Sequence, residues 1–152
     1  MEPAAWYASL PTLIGTSCAL ITAPSGEVLL VKPNYRDHWS VPGGVLEFGE
    51  RPEEGCVREV REELGLDLPA DPMLVVQWLP VEGVRSKPVM AFVFDGGVID
   101  DPSRIVLQEE ELDDYRLAPP AELEKYLPGV TLERMTGALR ARESGAPVYL
   151  SS

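Results

Sequence analysis

The chain has 152 residues, 45% of them hydrophobic and 25% charged, with a formal net charge of −12 at pH 7. This is one domain of ordinary size, residues 1–152, with material for a real core, and its acidic balance argues against non-specific nucleic-acid binding, which rests on a basic surface. No apolar run approaches a membrane span. The opening MEPAAWYASLPTL lacks the basic and apolar regions of a secretory signal, and two cysteines, Cys18 and Cys56, give no disulfide framework. The expected home is cytoplasmic, with no nucleic-acid or membrane partner; monomer and homodimer both stay open.

Residues 13–22, LIGTSCALIT, read as a strand, and Pro24-Ser25-Gly26 turns the chain back into a second strand over 27–32. The loop PNYRDHWS leads to Val41-Pro42-Gly43-Gly44 and a short strand toward Glu47. A helix follows, with Pro52 in its first turn, where a missing N–H costs nothing, and Gly65 at its left-handed end. Residues 73–79, MLVVQWL, and 88–95, PVMAFVFD, are strands on either side of a turn. Residues 103–107 read as a short strand ahead of QEEELDD, and 115–117 as another. Pro119-Pro120 opens a helix through 127, a second helix covers 130–142, and the tail PVYLSS pairs as an edge strand. A mixed sheet flanked by helices accounts for the pattern, an α/β fold.

The most informative stretch is residues 44–66, GVLEFGERPEEGCVREVREELGL. At about 100° per residue, Glu59, Glu62 and Glu63 fall on one arc of the helix. Cys56, Val57, Val60 and Leu64 fall on the adjoining arc, and Arg58, Arg61 and Glu54 take the remainder. Glu54–Arg58 and Arg58–Glu62 are i,i+4 pairs. Like charges at i,i+3 and i,i+4 destabilise a helix, and a shared cation reverses that penalty. No His or Cys accompanies the acids, so the expected ion is hard: Mg²⁺ first, Mn²⁺ second. A plain solvated face is the alternative.

This run resembles the Nudix box: Gly44, Glu50, Arg58, Glu59, Val60, Glu62, Glu63, Gly65 and Leu66 fill its fixed positions without a gap. The surrounding order of elements, from about residue 13 to 127, is also similar to that family. The resemblance implies an α/β/α sandwich with a mixed sheet and a hydrolase of the MutT-like or ADP-ribose pyrophosphatase-like kind. It would act on a nucleoside diphosphate linked to another moiety. It implies metal binding by Glu59, Glu62 and Glu63 with the backbone carbonyl of Gly43, and support from Glu50 and Arg58. Divalent cations offset the charge of a pyrophosphate and acidify a bound water, and a carboxylate takes the proton.

Outside the box the acidic run Glu109-Glu110-Glu111 lies where many relatives carry a further ligand or base; Glu111 is the first choice and Glu110 the second. A solvated acidic loop is the alternative. The single histidine, His38, reads as a loop residue. Trp39 and Tyr35 are candidates to stack on a nucleobase, with modest base selectivity as the result. Trp39 is equally a candidate wedge between loop and core. Arg36, Arg85 and Lys87 are candidates for phosphate oxygens, the last two with a solvated turn as their alternative. Pro80 falls one position short of the proline found in relatives that cleave ADP-ribose, so the substrate stays open between nucleoside triphosphates and nucleotide sugars. Two other classes remain. One is an isomerase of an allylic diphosphate, for which Cys56 is poorly placed; the other is a non-catalytic nucleotide-sensing domain, which usually loses box acids.

Overall fold

A computed structural model describes residues 1–151, so the final residue of the PVYLSS tail lies outside the described residues. The elements are helix α1 (Pro3–Ser9), strands β1 (Ile14–Thr22), β2 (Val28–Pro33) and β3 (Gly43–Val45), helix α2 (Pro52–Leu64), strands β4 (Met73–Leu79), β5 (Val89–Val98) and β6 (Leu112–Ala118), helix α3 (Gly129–Ser144) and strand β7 (Val148–Ser151). One sheet runs β6-β2-β1-β5-β4-β7, with β3 paired to β1. It is mixed: β1 lies parallel to β5 and β4 to β7, while the other pairs are antiparallel.

The central strands β1 and β2 are buried on both faces along most of their length, which is why they read as continuous apolar runs. Their side chains divide with a period of two. Cys18 and Leu20 of β1 join Val28 and Leu30 of β2 in a core closed by Met135, Ala138 and Ala141 of α3. Ala19 and Ile21, with Leu29 and Val31, face the other way onto Cys56, Val60 and Leu64 of α2. The two helices therefore cover opposite faces of the sheet, the α/β/α sandwich that the resemblance implied. Among the described residues no helix is long and apolar enough to cross a membrane.

Four elements differ from the sequence reading. Residues 3–9 form a short helix with no buried residue, which no periodicity announced. Residues 103–107 are not a strand. The chain makes a 3-10 turn at Pro102–Arg104, and then the N–H groups of Val106 and Gln108 donate to the carbonyls of Leu64 and Glu63. That segment satisfies the C-terminal carbonyls of α2, which have no partner within the helix, so it has none to spare for a sheet. The stretch after Pro119-Pro120 is a 3-10 helix, Pro120–Lys125, rather than an α-helix. The strand read at 115–117 extends over Leu112–Ala118, paired along β2.

Candidate active site

The N-terminal ends of β1, β5 and β6 and the C-terminal ends of β2 and β4 meet at one end of the sheet, and β3 sits among them. They enclose a cleft of 420 Å³, within the range of small-ligand sites. Glu59 and Glu63 of α2 line it, with Gly43 and Gly44, Glu111, Tyr35, Arg36, Cys18, and Thr131 and Arg134 of α3.

The acids reach the cleft because Gly43 and Gly44 of β3 leave room for them. At Gly44 an added Cβ would lie 2.6 Å from the Glu59 carboxylate, and at Gly43 it would lie 2.3 Å from the Ser17 carbonyl oxygen. Any larger residue pushes β3 off β1 or off Glu59. The Gly43 N–H donates to Glu63 Oε2 at 3.2 Å. Burial raises the pKa of Glu63 to about 8, helped by the neighbouring Glu59 charge, with the Gly43 N–H opposing. Glu59 is raised by burial too, against the pull of Arg58. A buried Glu63 beside a partly buried Glu59 sets two carboxylates side by side in the cleft.

Arg58 organises the rim. Its Nε and Nη2 form a two-pronged pair with Glu50, at 2.7 and 3.0 Å. Nη1 donates to Glu59 Oε1 and Glu62 Oε2, and Nη2 also to the Val45 carbonyl. The Arg58 guanidinium and the Glu47 N–H hold Glu50 down at a pKa of about 2. Glu54 does not form the expected pair with Arg58. It turns back to accept from the Arg51 N–H at the start of α2, because Arg58 reaches over the helix to the 45–50 loop instead.

The three box acids do not converge on one point. Among the described residues no three His, Cys, Asp or Glu side chains are gathered as ligands of one ion. Glu62 is drawn outward to Arg58 and stays 46% exposed, while Glu59 and Glu63 face the cleft. The third acid in the cleft is Glu111. The 106–108 segment that caps α2 delivers it, and its carbonyl accepts the Asn34 N–H while Asn34 Nδ2 donates to the Glu110 carbonyl. That pairing also fixes the loop bearing Tyr35 and Arg36, whose guanidinium lies 5.3 Å from the Tyr35 ring centroid. The donors in reach are carboxylates and backbone oxygens. The Cys18 thiol is kept protonated by burial. Such a set fits a hard divalent cation.

Three candidates stand elsewhere. Trp39 does not line the cleft. Its ring packs edge-on against Tyr126 at 6.1 Å, with the Arg116 guanidinium 5.4 Å away, and it leans on the α3 core. Arg85 donates to the Pro80 carbonyl and pairs with Glu82 inside its own turn. Lys87 is exposed and does not line the cleft. His38 is also exposed outside it. Truncating Trp39 to Ala is expected to cost about 2 kcal/mol of stability through lost aromatic packing. KM should be unchanged, and chemical denaturation beside steady-state kinetics checks both.

Sequence reasoning missed Cys18, Thr131 and Arg134 as cleft residues. A cysteine in an apolar run and an arginine on an amphipathic helix look like core and surface, and only the sheet brings them together.

An acid-bearing helix and a capping helix on opposite faces of a mixed sheet, sharing one cleft at its end, define the class of this protein as an α/β/α fold with a carboxylate site. The NUDIX domain model matches residues 12–135, and the chain belongs to that family. It is 35% identical over 87 residues to a MutT-like protein of Streptomyces ambofaciens, covering 53% of this chain and 56% of that one. It is 32% identical over 102 residues to the nucleoside triphosphatase NudI of Escherichia coli, covering 60% and 69%. The crystal structure of a MutT protein from Methanosarcina mazei superposes with a TM-score of 0.71 at 27% identity, covering 90% of this chain and 99% of that one. The chain spans only 56%, 24% and 37% of the length of three curated relatives.

Proposed function

We propose that the protein is a Mg²⁺-dependent hydrolase of the pyrophosphate bond in a nucleoside diphosphate derivative, either a nucleoside triphosphate or a nucleotide sugar. The observation that carries this reading is the pair of carboxylates, partly buried Glu59 and buried Glu63, set against Gly43 and Gly44 of β3 and facing a cleft of nucleotide size. The relatives add support on the substrate class: NudI is named a nucleoside triphosphatase, another relative is named as a putative ADP-ribose pyrophosphatase, and one structural neighbour is a UDP-X diphosphatase.

Glu59 and Glu63, with Glu111 and the Gly43 carbonyl, would hold the cation, and Mn²⁺ would substitute. When bound, such an ion offsets phosphate charge and lowers the pKa of water. Arg58 favours the ionised form of Glu59 against burial and ties the 45–50 loop to α2. Glu62 acts from the rim through Arg58. As an alternative to holding the ion, Glu111, the most exposed acid of the cleft, would accept the proton of the attacking water. Arg36 and Tyr35 border the entrance on the phosphate side. An allylic-diphosphate isomerase is a poorer fit. Cys56 is buried in the core with its pKa pushed up to about 12 by burial, and the Cys18 thiol is protonated. A sensing domain is poorer still, since the box acids are all present.

The test is turnover of a panel of nucleoside triphosphates, nucleotide sugars and an allylic diphosphate with Mg²⁺, run in ¹⁸O water. Label should appear in one fragment of a split pyrophosphate. Excess EDTA should abolish turnover, and Mg²⁺ should raise the melting temperature by mass action. Full turnover in EDTA, or labelled inorganic phosphate beside a free nucleoside, sinks the reading.

Glu111→Gln is expected to lower kcat about a hundredfold and leave substrate affinity less affected. Glu110→Gln should change little, because Glu110 serves through its carbonyl and its side chain is exposed. If Glu110→Gln is the damaging change instead, the role moves back one residue.

A further inference from the structure

Arg134 is a charge that the chemistry above does not use. It enters the cleft from α3, on the face of the sheet opposite the acids. Its Nε donates to Gln77 Oε1 at 2.7 Å, and Gln77 Nε2 donates in turn to the Val130 carbonyl at 3.0 Å. Gln77 is completely buried in β4. The amide is therefore fixed from both sides, and it fixes the guanidinium. With Nε committed to Gln77 and the Cys18 thiol also within hydrogen-bonding reach of the guanidinium, the donors left to meet a ligand are the terminal amino groups, whose parallel N–H bonds form a flat fork. The same cleft is lined by Leu79, Val89, Val41 and Cys18, and by the Thr131 hydroxyl of α3.

We infer that Arg134 reads the nucleobase of the substrate and selects bases that present two adjacent hydrogen-bond acceptors. The inference rests on the cleft being a nucleotide site, as proposed above. A substrate whose diphosphate lies against Glu59 and Glu63 sends its base toward the opposite wall. The cleft lining also includes Leu79, Val89 and Val41, which suit the faces of a flat ring better than a phosphate needing several donors. Guanine offers O6 and N7 side by side, and cytosine offers O2 and N3. Adenine sets the N6 amino donor beside N7, and uracil places its N3–H between two carbonyls. The fork meets an opposing donor in each of those.

This goes beyond ring stacking, which tolerates every base. Trp39, the tryptophan considered for stacking, is turned to Tyr126 instead. Gln77 has a defined part too: it is a positioning residue that acts through Arg134.

The experiment is equilibrium binding of GMP, CMP, AMP and UMP to the full chain, with 7-deaza-GMP as a probe lacking one acceptor. It is repeated with Arg134→Lys and Arg134→Met after their melting curves are recorded. GMP and CMP should bind about tenfold tighter than AMP and UMP, the low end for a bidentate pair. 7-Deaza-GMP should lose that advantage on the wild-type protein, a result that depends on no variant. Arg134→Lys keeps the charge but not the fork, so it should level the four bases. In turnover it should raise KM for the favoured nucleotides and leave kcat near wild type.

Equal binding of all four bases by the wild-type protein overturns the inference. So does an Arg134→Lys protein that weakens inorganic pyrophosphate and all four nucleotides alike, which would make Arg134 an anion clamp. Failure of the proposed hydrolase is separate: it would appear as absent turnover of the whole panel, while base preference in binding would still be read.

Discussion

Glu59→Gln is expected to lower kcat by three orders of magnitude or more, about 4 kcal/mol of transition-state stabilisation, while the protein stays folded. The amide keeps the shape of the carboxyl, so the close fit over Gly44 is retained. Removing the charge does not strain the fold. The environment already disfavours it, since burial raises the pKa of Glu59. Arg58 loses one acceptor and keeps Glu50 and Glu62. What disappears is a charged oxygen donor in the cleft, and a neutral amide is a poor replacement toward a hard cation. Glu63→Gln should behave similarly, with its amide oxygen still able to accept the Gly43 N–H. Circular dichroism and melting curves establish the fold, and single-turnover kinetics establish the loss. A folded Glu59→Gln protein with near wild-type kcat would remove Glu59 from the chemistry.

The contrast between Glu59 and Arg134 explains what could be read from the chain and what could not. The acids, Arg58 and the Gly-Gly pair lie within about twenty residues of one another, and their relations follow from helical period and a short connection. Local geometry decides them. The central strands were legible for a similar reason, since two-sided burial writes continuous apolar runs. Glu111 was legible as a candidate by its acidic neighbourhood and by the family resemblance, not by local geometry. What brings it to the cleft is the pairing of Val106 and Gln108 with the end of α2, and no residue type in 103–108 encodes that.

Arg134 depends on Gln77, 57 positions away. Trp39 was ambiguous until Tyr126 and Arg116 were found beside it. Glu62 shows the remaining gap. Helical spacing puts it on the arc of Glu59 and Glu63, but spacing cannot tell which acid Arg58 will draw outward. These choices belong to contacts between distant segments.

The same long-range logic yields the largest expected effect on stability, at Arg142 near the end of α3. Beyond residue 20 the β1–β5 register shifts: Leu20 pairs with Asp95 but Ile21 with Gly97. A shift of this kind leaves backbone groups without ladder partners. Arg142 supplies them. Its Nε and Nη2 grip Asp95 at 3.1 and 2.8 Å, Nη1 donates to Thr22 Oγ1 at 2.6 Å, and Nη2 also reaches the Leu20 and Gly97 carbonyls at 3.0 and 3.3 Å. Asp95 in turn accepts the Gly97 N–H. The side chains are 24% and 17% exposed, so water screens the pair only in part. Arg142→Met keeps much of the aliphatic packing and removes the fork. It leaves Asp95 charged and half-desolvated and strands two carbonyls.

Breaking a buried pair from one side costs about 3–5 kcal/mol, and partial exposure puts the expectation at the lower end, about 3 kcal/mol. Asp95→Asn should cost less, because the amide oxygen still accepts from Arg142 and from Gly97. The double variant should then be less destabilised than the sum of the two, since the second change removes the charge that the first left unpaired. Urea denaturation of the four proteins measures all of this. The network stands at the end of the sheet away from the cleft, so KM of the folded variant should match wild type. A loss below about 1 kcal/mol for Arg142→Met, at the level of an exposed ion pair, would mean that the bulge is held by its own backbone and that α3, with Arg134 on it, is anchored by apolar packing alone.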